Sequence, residues 1–200
     1  GAGPGDPGLL TVRGLELLRK ADVILYDALV NPSLLDETRP EVERISVGKR
    51  SGTDYMPQSQ LNELLLKKAW EHQIIVRLKG GDPYIFGRGI EEAEFLQGHG
   101  VRVVVVPGVS SVTGATAAAG IGLTRRGLSS TFAVVTCRQA SDAPSAPPWA
   151  ALAQIDTVVV MMGVGRAAEI AESLMAGGRS PATPVALIAD GTLPTQRVLR

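Results

Sequence analysis

The opening run Gly1-Ala2-Gly3-Pro4-Gly5-Asp6-Pro7-Gly8 spaces its glycines like a nucleotide-binding loop, but its other residues reject phosphate. A pyrophosphate is held by backbone N–H groups at a helix start. Pro4 and Pro7 have no N–H to give, and Asp6 stands where the dinucleotide fingerprint has its third glycine. Its charge would also repel a phosphate. The loop therefore suits close approach by a ligand that brings no phosphate. S-adenosylmethionine, a nucleoside joined to an amino acid through a sulfonium cation, fits that description. The plainer reading is a strand-to-helix turn in which Asp6 and Pro7 start the helix. Two further places carry chemistry. Gly80-Gly81-Asp82 ends the apolar run Ile74 to Leu78, a position where α/β folds put ligands, and Asp82 could pair with an ammonium or accept from a ribose. Asp27 ends the apolar run Val23 to Tyr26 in the same way, with a turn or cap as its structural alternative.

The elements that must position these residues alternate between strand-sized apolar runs and amphipathic segments, which predicts an α/β fold with largely parallel strands. A helix follows the glycine loop to about Lys20, with Leu9, Leu10, Leu15, Leu17 and Leu18 as its inner stripe. Pro57 suits the first position of a second helix that turns Leu61, Leu64, Leu65 and Ala69 inward. Ile74 to Leu78 predicts a strand, Gly89 to Gln97 a helix, and Val101 to Val106 another strand. Pro107-Gly108 breaks the pattern, and a change of domain is expected there, giving an N-terminal α/β domain over 1–108 and a C-terminal one over 109–200. The second half repeats the rhythm: a small-residue helix from Ser110 to Ala119, strands at Phe132 to Thr136, Thr157 to Met162 and Val185 to Ile188, and a helix from Ala167 to Ala176. Gln139 to Pro148 reads as a surface loop. A glycine loop of this kind usually follows a strand, so a leading strand is expected ahead of Gly1, and a further piece after Arg200.

Composition narrows the function classes. Formal charge balances at +0, so no global field favours nucleic acid or a membrane surface. The single Cys137 excludes an intramolecular disulfide framework, and no His/Cys cluster has metal-ligand spacing, which points to a reducing cytoplasm. No apolar run approaches the ~20 residues of a membrane helix. The basic residues nevertheless cluster, as Lys49-Arg50, Arg77 with Lys79, Arg88, Arg125-Arg126 and Arg138. Arg50 and Arg77 read as a solvated face, whereas Arg88 lies in a glycine-flanked loop next to Gly80-Gly81-Asp82.

In order along nearly the whole chain stand GAGPGDPGLLT (Gly1 to Thr11), ADVILYDALV (Ala21 to Val30), VGKR (Val47 to Arg50), RLKGGDPYIFGRG (Arg77 to Gly89), VVPGVSS (Val105 to Ser111) and MMGV (Met161 to Val164). With these motifs the chain resembles the uroporphyrinogen III methyltransferase branch of the tetrapyrrole methylases. The block from Arg77 to Gly89 is the most specific, since related corrin-ring methylases and diphthine synthase share the first loop but generally not this signature. The resemblance implies two α/β domains with S-adenosylmethionine in the cleft between them. It implies cofactor contacts at Pro4, Gly80, Gly81, Asp82, Ile85, Ser110, Ser111, Met162 and Gly191, with Ile85 and Met162 supplying apolar contact. Arg88, Glu91 and Arg126 fall where the family binds its substrate, a macrocycle with eight carboxylates. Asp27 corresponds to the proton acceptor and Lys49 to the proton donor, and Arg88 is a further candidate for handling protons. The resemblance also implies a homodimer and methylation at carbons 2 and 7 to give precorrin-2, feeding siroheme, cobalamin or modified haem.

The chain departs from the family pattern at two places. Thr136-Cys137-Arg138 stands for a usual Thr-Gly-His, and Thr124-Arg125-Arg126-Gly127 for Thr-His-Arg-Asp. Two histidines near the expected substrate mouth are thus arginines, which bears on substrate preference. Three other readings stay open: a methylase acting on a later corrin intermediate, a nicotinamide-dependent oxidoreductase with Asp27 on the ribose, and a cofactor-binding module without turnover.

Overall fold

The computed structural model describes residues 1–48, 56–137 and 146–200. Two compact units emerge, Gly1–Gly114 and Ala115–Arg200. Helix α4 (Ser111–Ala118) runs across that boundary, so Ser110 and Ser111 belong to the first unit.

In the first unit, helix α1 (Val12–Lys20) begins where Thr11 Oγ1 accepts from the Gly14 N–H, capping one of the donors a helix start leaves without a partner. Strand β1 (Val23–Tyr26) lies between β2 (Glu43–Ser46) and β3 (Ile75–Leu78), and both pairings are parallel. Such a sheet is covered on both faces, and alternate residues of β1 serve the two layers. Ile24 packs with Leu18, Ala21, Leu34 and Leu78, while Val23 and Leu25 pack with Leu61 and Leu65 of helix α2 (Gln58–Glu71). Pro57 caps α2 rather than opening it. Helix α3 (Gly89–Gly98) follows β3.

Val101 to Val106 is a correction: among the described residues the segment joins no strand ladder. Its inner face and the outer edge of β3 line a groove of about 550 Å³ instead. The two walls are tied at one end, where the Gly1 amine donates to Val106 O and the Ala2 N–H to Lys79 O. Gly1 and Ala2 stand between the two backbones at that end.

In the second unit, β4 (Phe132–Thr136) pairs in parallel with β5 (Thr157–Met161), and α5 (Trp149–Leu152) and α6 (Ala167–Ala176) pack together. The short helix α5 was not foreseen. The last expected strand is shifted to Leu187–Ala189 (β6), and it pairs antiparallel with β7 (Arg197–Leu199). Thus one pair of strands departs from the parallel pattern. Among the described residues, no helix is long and apolar enough to cross a membrane, and no group of three or more His, Cys, Asp or Glu could hold a metal ion.

One device recurs. Asp22, just before β1, accepts from the Ile74 N–H, and Asp156, just before β5, accepts from the Ser130 and Thr131 N–H groups. These backbone donors hold both carboxyls below their ordinary value. A folded-state value below the unfolded one contributes stability that is complete above the unfolded value. That stability is lost as pH falls through the folded one. Asp156→Asn is therefore expected to lower stability at neutral pH and to flatten the loss below the ordinary value of 3.8. Urea unfolding as a function of pH checks this; an unchanged acid slope would contradict it.

Candidate functional site

The glycine loop lies directly on the segment that follows β3. Gly81 N–H donates to Gly3 O at 2.7 Å, and Gly3 N–H returns to Gly81 O at 3.3 Å. Both glycines have positive φ, 77° and 66°, which side chains rarely adopt. Gly108 completes the floor: a Cβ there would sit 2.3 Å from Gly81 O and 2.7 Å from Gly1 Cα. Asn31 Nδ2 holds the far end of the loop through Gly5 O at 2.8 Å. Pro4 packs under the start of α4, where a Cβ on Gly114 would meet its Cγ at 2.7 Å.

Asp82 is committed to this floor. Its Oδ1 accepts from Tyr84 N–H at 2.8 Å and its Oδ2 from Gly108 N–H at 3.0 Å. Each oxygen keeps a second lone pair for a ligand. Above Gly81 there is room, since a Cβ would find only Ser111 N and Ser110 Cα, at 3.9 and 4.0 Å. Ser110 is buried, and its Oγ accepts from Val112 N–H at the start of α4. Ile85 is exposed between Tyr84 and Phe86, themselves exposed, and so presents apolar surface next to Asp82.

Asp27 lies at the C-terminal end of β1, and its Oδ1 accepts from Arg77 Nη2 at 2.6 Å. Arg77 is thereby corrected: it is no solvated residue, because its side chain is 14% exposed and its Nε donates to Glu92 Oε2 at 3.1 Å. Lys79 Nζ reaches Glu92 Oε1 at 2.8 Å, with both residues buried. Gly48 passes against Asp27, where a Cβ would lie 2.6 Å from Ala28 N. Lys49 and Arg50 lie outside the described residues, as does Arg138. Arg88 has φ of 57° and its Nε donates to both oxygens of Glu91, at 3.1 and 3.0 Å. The guanidinium holds the Glu91 carboxyl below its ordinary value.

The structure therefore brings Pro4, Gly80 to Asp82, Ile85, Ser110, Ser111, Asp27, Arg88 and Glu91 into one unit. Met162, Gly191 and Arg126 belong to the other. Met162 follows β5 with φ of 56° and an exposed side chain. Gly191 packs on α4, where a Cβ would fall 2.3 Å from Ala115 Cβ. Arg126 is exposed in a turn closed by the Arg125–Ser129 bridge. Cys137 is buried, and burial pushes its thiol up.

Sequence reasoning missed Glu92, Lys79, Asn31 and Gly108. Glu92 left a faint signal, being an acid one position before Ala93 and four before Leu96 on the inward side of α3. The others show their role only through partners distant in the chain. The glycine floor makes a direct prediction. Gly108→Ala should cost about 1–3 kcal/mol, the usual range for overpacking, because the Cβ would meet backbone that cannot rotate away. Denaturant unfolding measures this, and an unchanged midpoint would contradict the close contact.

Comparison with known proteins gives concordant results. The family described as Tetrapyrrole (Corrin/Porphyrin) Methylases matches residues 1–200. A siroheme synthase of Baumannia cicadellinicola subsp. Homalodisca coagulata is 48% identical over 200 residues, which are 100% of this chain and 43% of that protein. One from Neisseria meningitidis serogroup B is 50% identical over 198 residues, 98% of this chain and 41% of the relative. The chain thus spans less than half the length of these curated relatives. Uroporphyrin-III C-methyl transferase from Thermus thermophilus, solved in complex with S-adenosylhomocysteine, has a TM-score of 0.85 and 43% identity. That match covers 99% of this chain and 84% of the other. A cobalamin biosynthetic enzyme, cobalt precorrin-4 methyltransferase, gives a TM-score of 0.87 at 31% identity, over 100% of this chain and 82% of its own. With the α/β fold, the glycine-laced floor and a family match over its whole length, this chain belongs to the tetrapyrrole (corrin/porphyrin) methylases.

Proposed function

We propose that this chain carries an S-adenosylmethionine-dependent methyltransferase activity that converts uroporphyrinogen III to precorrin-2 by methylation at carbons 2 and 7. The observation that carries the reading is the phosphate-rejecting loop laid by its backbone on Gly80 to Asp82, within the unit that also holds Asp27 and Arg88. The residues fit such a cofactor. Gly81 and the Ser110-Ser111 backbone bound an open space, Asp82 keeps acceptor capacity for an ammonium or ribose, and Ile85 offers apolar surface. When bound, the cofactor supplies an electrophilic methyl on a sulfonium.

The chain's own residues would then orient the substrate and move a proton. Arg88 brings a planar guanidinium, a group suited to a substrate carboxylate, and its Nε and Nη2 pair with Glu91. Asp27, hydrogen-bonded to Arg77, accepts the proton that the ring system must lose after methyl transfer. Lys49 is the proton donor in this reading. The positive charge of the transition state is dispersed, so alignment and exclusion of water contribute more than any single charge. A homodimer belongs to the same proposal, as does a place in siroheme, cobalamin or modified haem synthesis. A cofactor-binding module without turnover is the second reading, favoured by Arg125 and Cys137 where the family pattern has histidine and glycine.

The test is mass spectrometry of the product from uroporphyrinogen III and isotope-labelled methyl donor. Two successive labelled methyl groups are expected, and unmodified substrate after prolonged incubation would overturn the proposal. Arg88→Ala should lower kcat/KM roughly ten- to a hundred-fold, the worth of a charged hydrogen bond in a partly dry site. Arg88→Lys should recover only part, while affinity for S-adenosylhomocysteine should hold. Loss of cofactor binding with turnover spared would instead put Arg88 on the cofactor.

A further inference from the structure

Behind Asp27 stands a group of charges, one of which, Glu92, neither the sequence motifs nor the proposed chemistry uses. Glu92, on α3, is 4% exposed, and Lys79, just past β3, is 5% exposed. A buried carboxylate persists only with partners, and Glu92 has them on both oxygens. Oε1 accepts from Lys79 Nζ at 2.8 Å and, more distantly, from Gln58 Nε2 of α2 and Arg77 Nη2, both at 3.4 Å. Oε2 accepts from Arg77 Nε at 3.1 Å. A burial pair alone would need only Lys79. The second oxygen is spent on a guanidinium whose other end leaves the core.

Arg77 is the transmitting piece. Its Nη1 donates to Leu78 O at 3.2 Å, and its Nη2 donates to Asp27 Oδ1 at 2.6 Å. A guanidinium is planar, so a hydrogen bond that fixes Nε also fixes the direction of Nη2. Three elements thus converge: α3 supplies Glu92, β3 supplies Arg77, and the end of β1 supplies Asp27. The two cations and two carboxylates balance, and exposure rises from 5% at the Glu92 side chain through 14% at Arg77 to 27% at Asp27.

We propose that Glu92 is a positioning residue for Asp27, acting through Arg77. The proposal rests on the reading above that Asp27 accepts a proton from the methylated ring system. Glu92 itself touches neither Asp27 nor the glycine floor. Its work is to hold the Arg77 fork in the one orientation that presents Nη2 to Asp27 Oδ1. Through that bond it keeps the carboxylate aimed.

The experiment uses three variants of the whole chain. Glu92→Gln keeps the shape and removes the charge. Glu92→Asp keeps the charge beside Lys79 but is one methylene too short to reach both cations, which covers the case in which Glu92→Gln does not fold. Arg77→Lys removes the fork. With cofactor saturating, Glu92→Asp is expected to lower kcat by about tenfold or more, with Kd for S-adenosylhomocysteine within about twofold of the parent. In the Arg77→Lys background the Glu92 substitutions should have no further effect on kcat, because their route to Asp27 is already cut. Independent, multiplying losses in the double variants, or a folded Glu92→Asp chain with unchanged kcat, would overturn the proposal. A readout without turnover separates it from the functional reading. The carboxyl ¹³C resonance of Asp27 should move in Glu92→Asp, and an unmoved resonance counts against Glu92 even if the parent chain transfers no methyl.

Discussion

The structure depends on a contact that only glycine permits. Gly1, Gly81 and Gly108 meet backbone to backbone: a Cβ on Gly1 or Gly108 would be driven into a carbonyl or a Cα at less than 3 Å, and Gly81 holds a φ of 66° that side chains rarely adopt. The first loop and the segment after β3 then exchange hydrogen bonds between Gly3 and Gly81, as though they were a short piece of sheet. Asp82 fastens the third backbone by accepting from Gly108 N–H. The space above Gly81 stays open as a consequence, with Ser110 and Ser111 at its edge. The site is therefore walled in part by main chain, with the Asp82 and Ile85 side chains beside it.

Charge is managed in the same unit by pairing. The chain is neutral overall, yet Arg77, Lys79, Glu92 and Asp27 form a contiguous network that runs from the core to the end of β1. Removing one partner from such a network leaves a buried charge without compensation, which costs more than the pair contributes. Arg88 and Glu91 form a separate, exposed pair on the first turn of α3. The two groups differ in what they can do. The buried network can fix a carboxylate, and the exposed pair can meet a solvent-borne anion.

Much of this was legible in the residues, for physical reasons that can be named. Strand β1 matched its apolar run residue for residue, because a central parallel strand is buried on both faces and shows an unbroken apolar sequence. The phosphate-rejecting character of the loop followed from two prolines and an aspartate. Val101 to Val106 misled, since an apolar β-branched run states a preference for extension and says nothing of a ladder partner. Arg77 also misled, because a cation inside a strand looks solvated until its partners, 50 residues away at Asp27 and 15 at Glu92, are known. The antiparallel β6–β7 pair was hidden for the same reason: three-residue strands carry too little pattern to announce their direction.

In the proposed function, the glycine-laced floor accepts a nucleoside cofactor that brings no phosphate. Isothermal titration of the chain with S-adenosylhomocysteine and, separately, with NAD tests it most directly. Saturable one-site binding of S-adenosylhomocysteine, weakened in Gly108→Ala, is expected, with no heat from NAD. Tight binding of NAD with no heat from S-adenosylhomocysteine would contradict it.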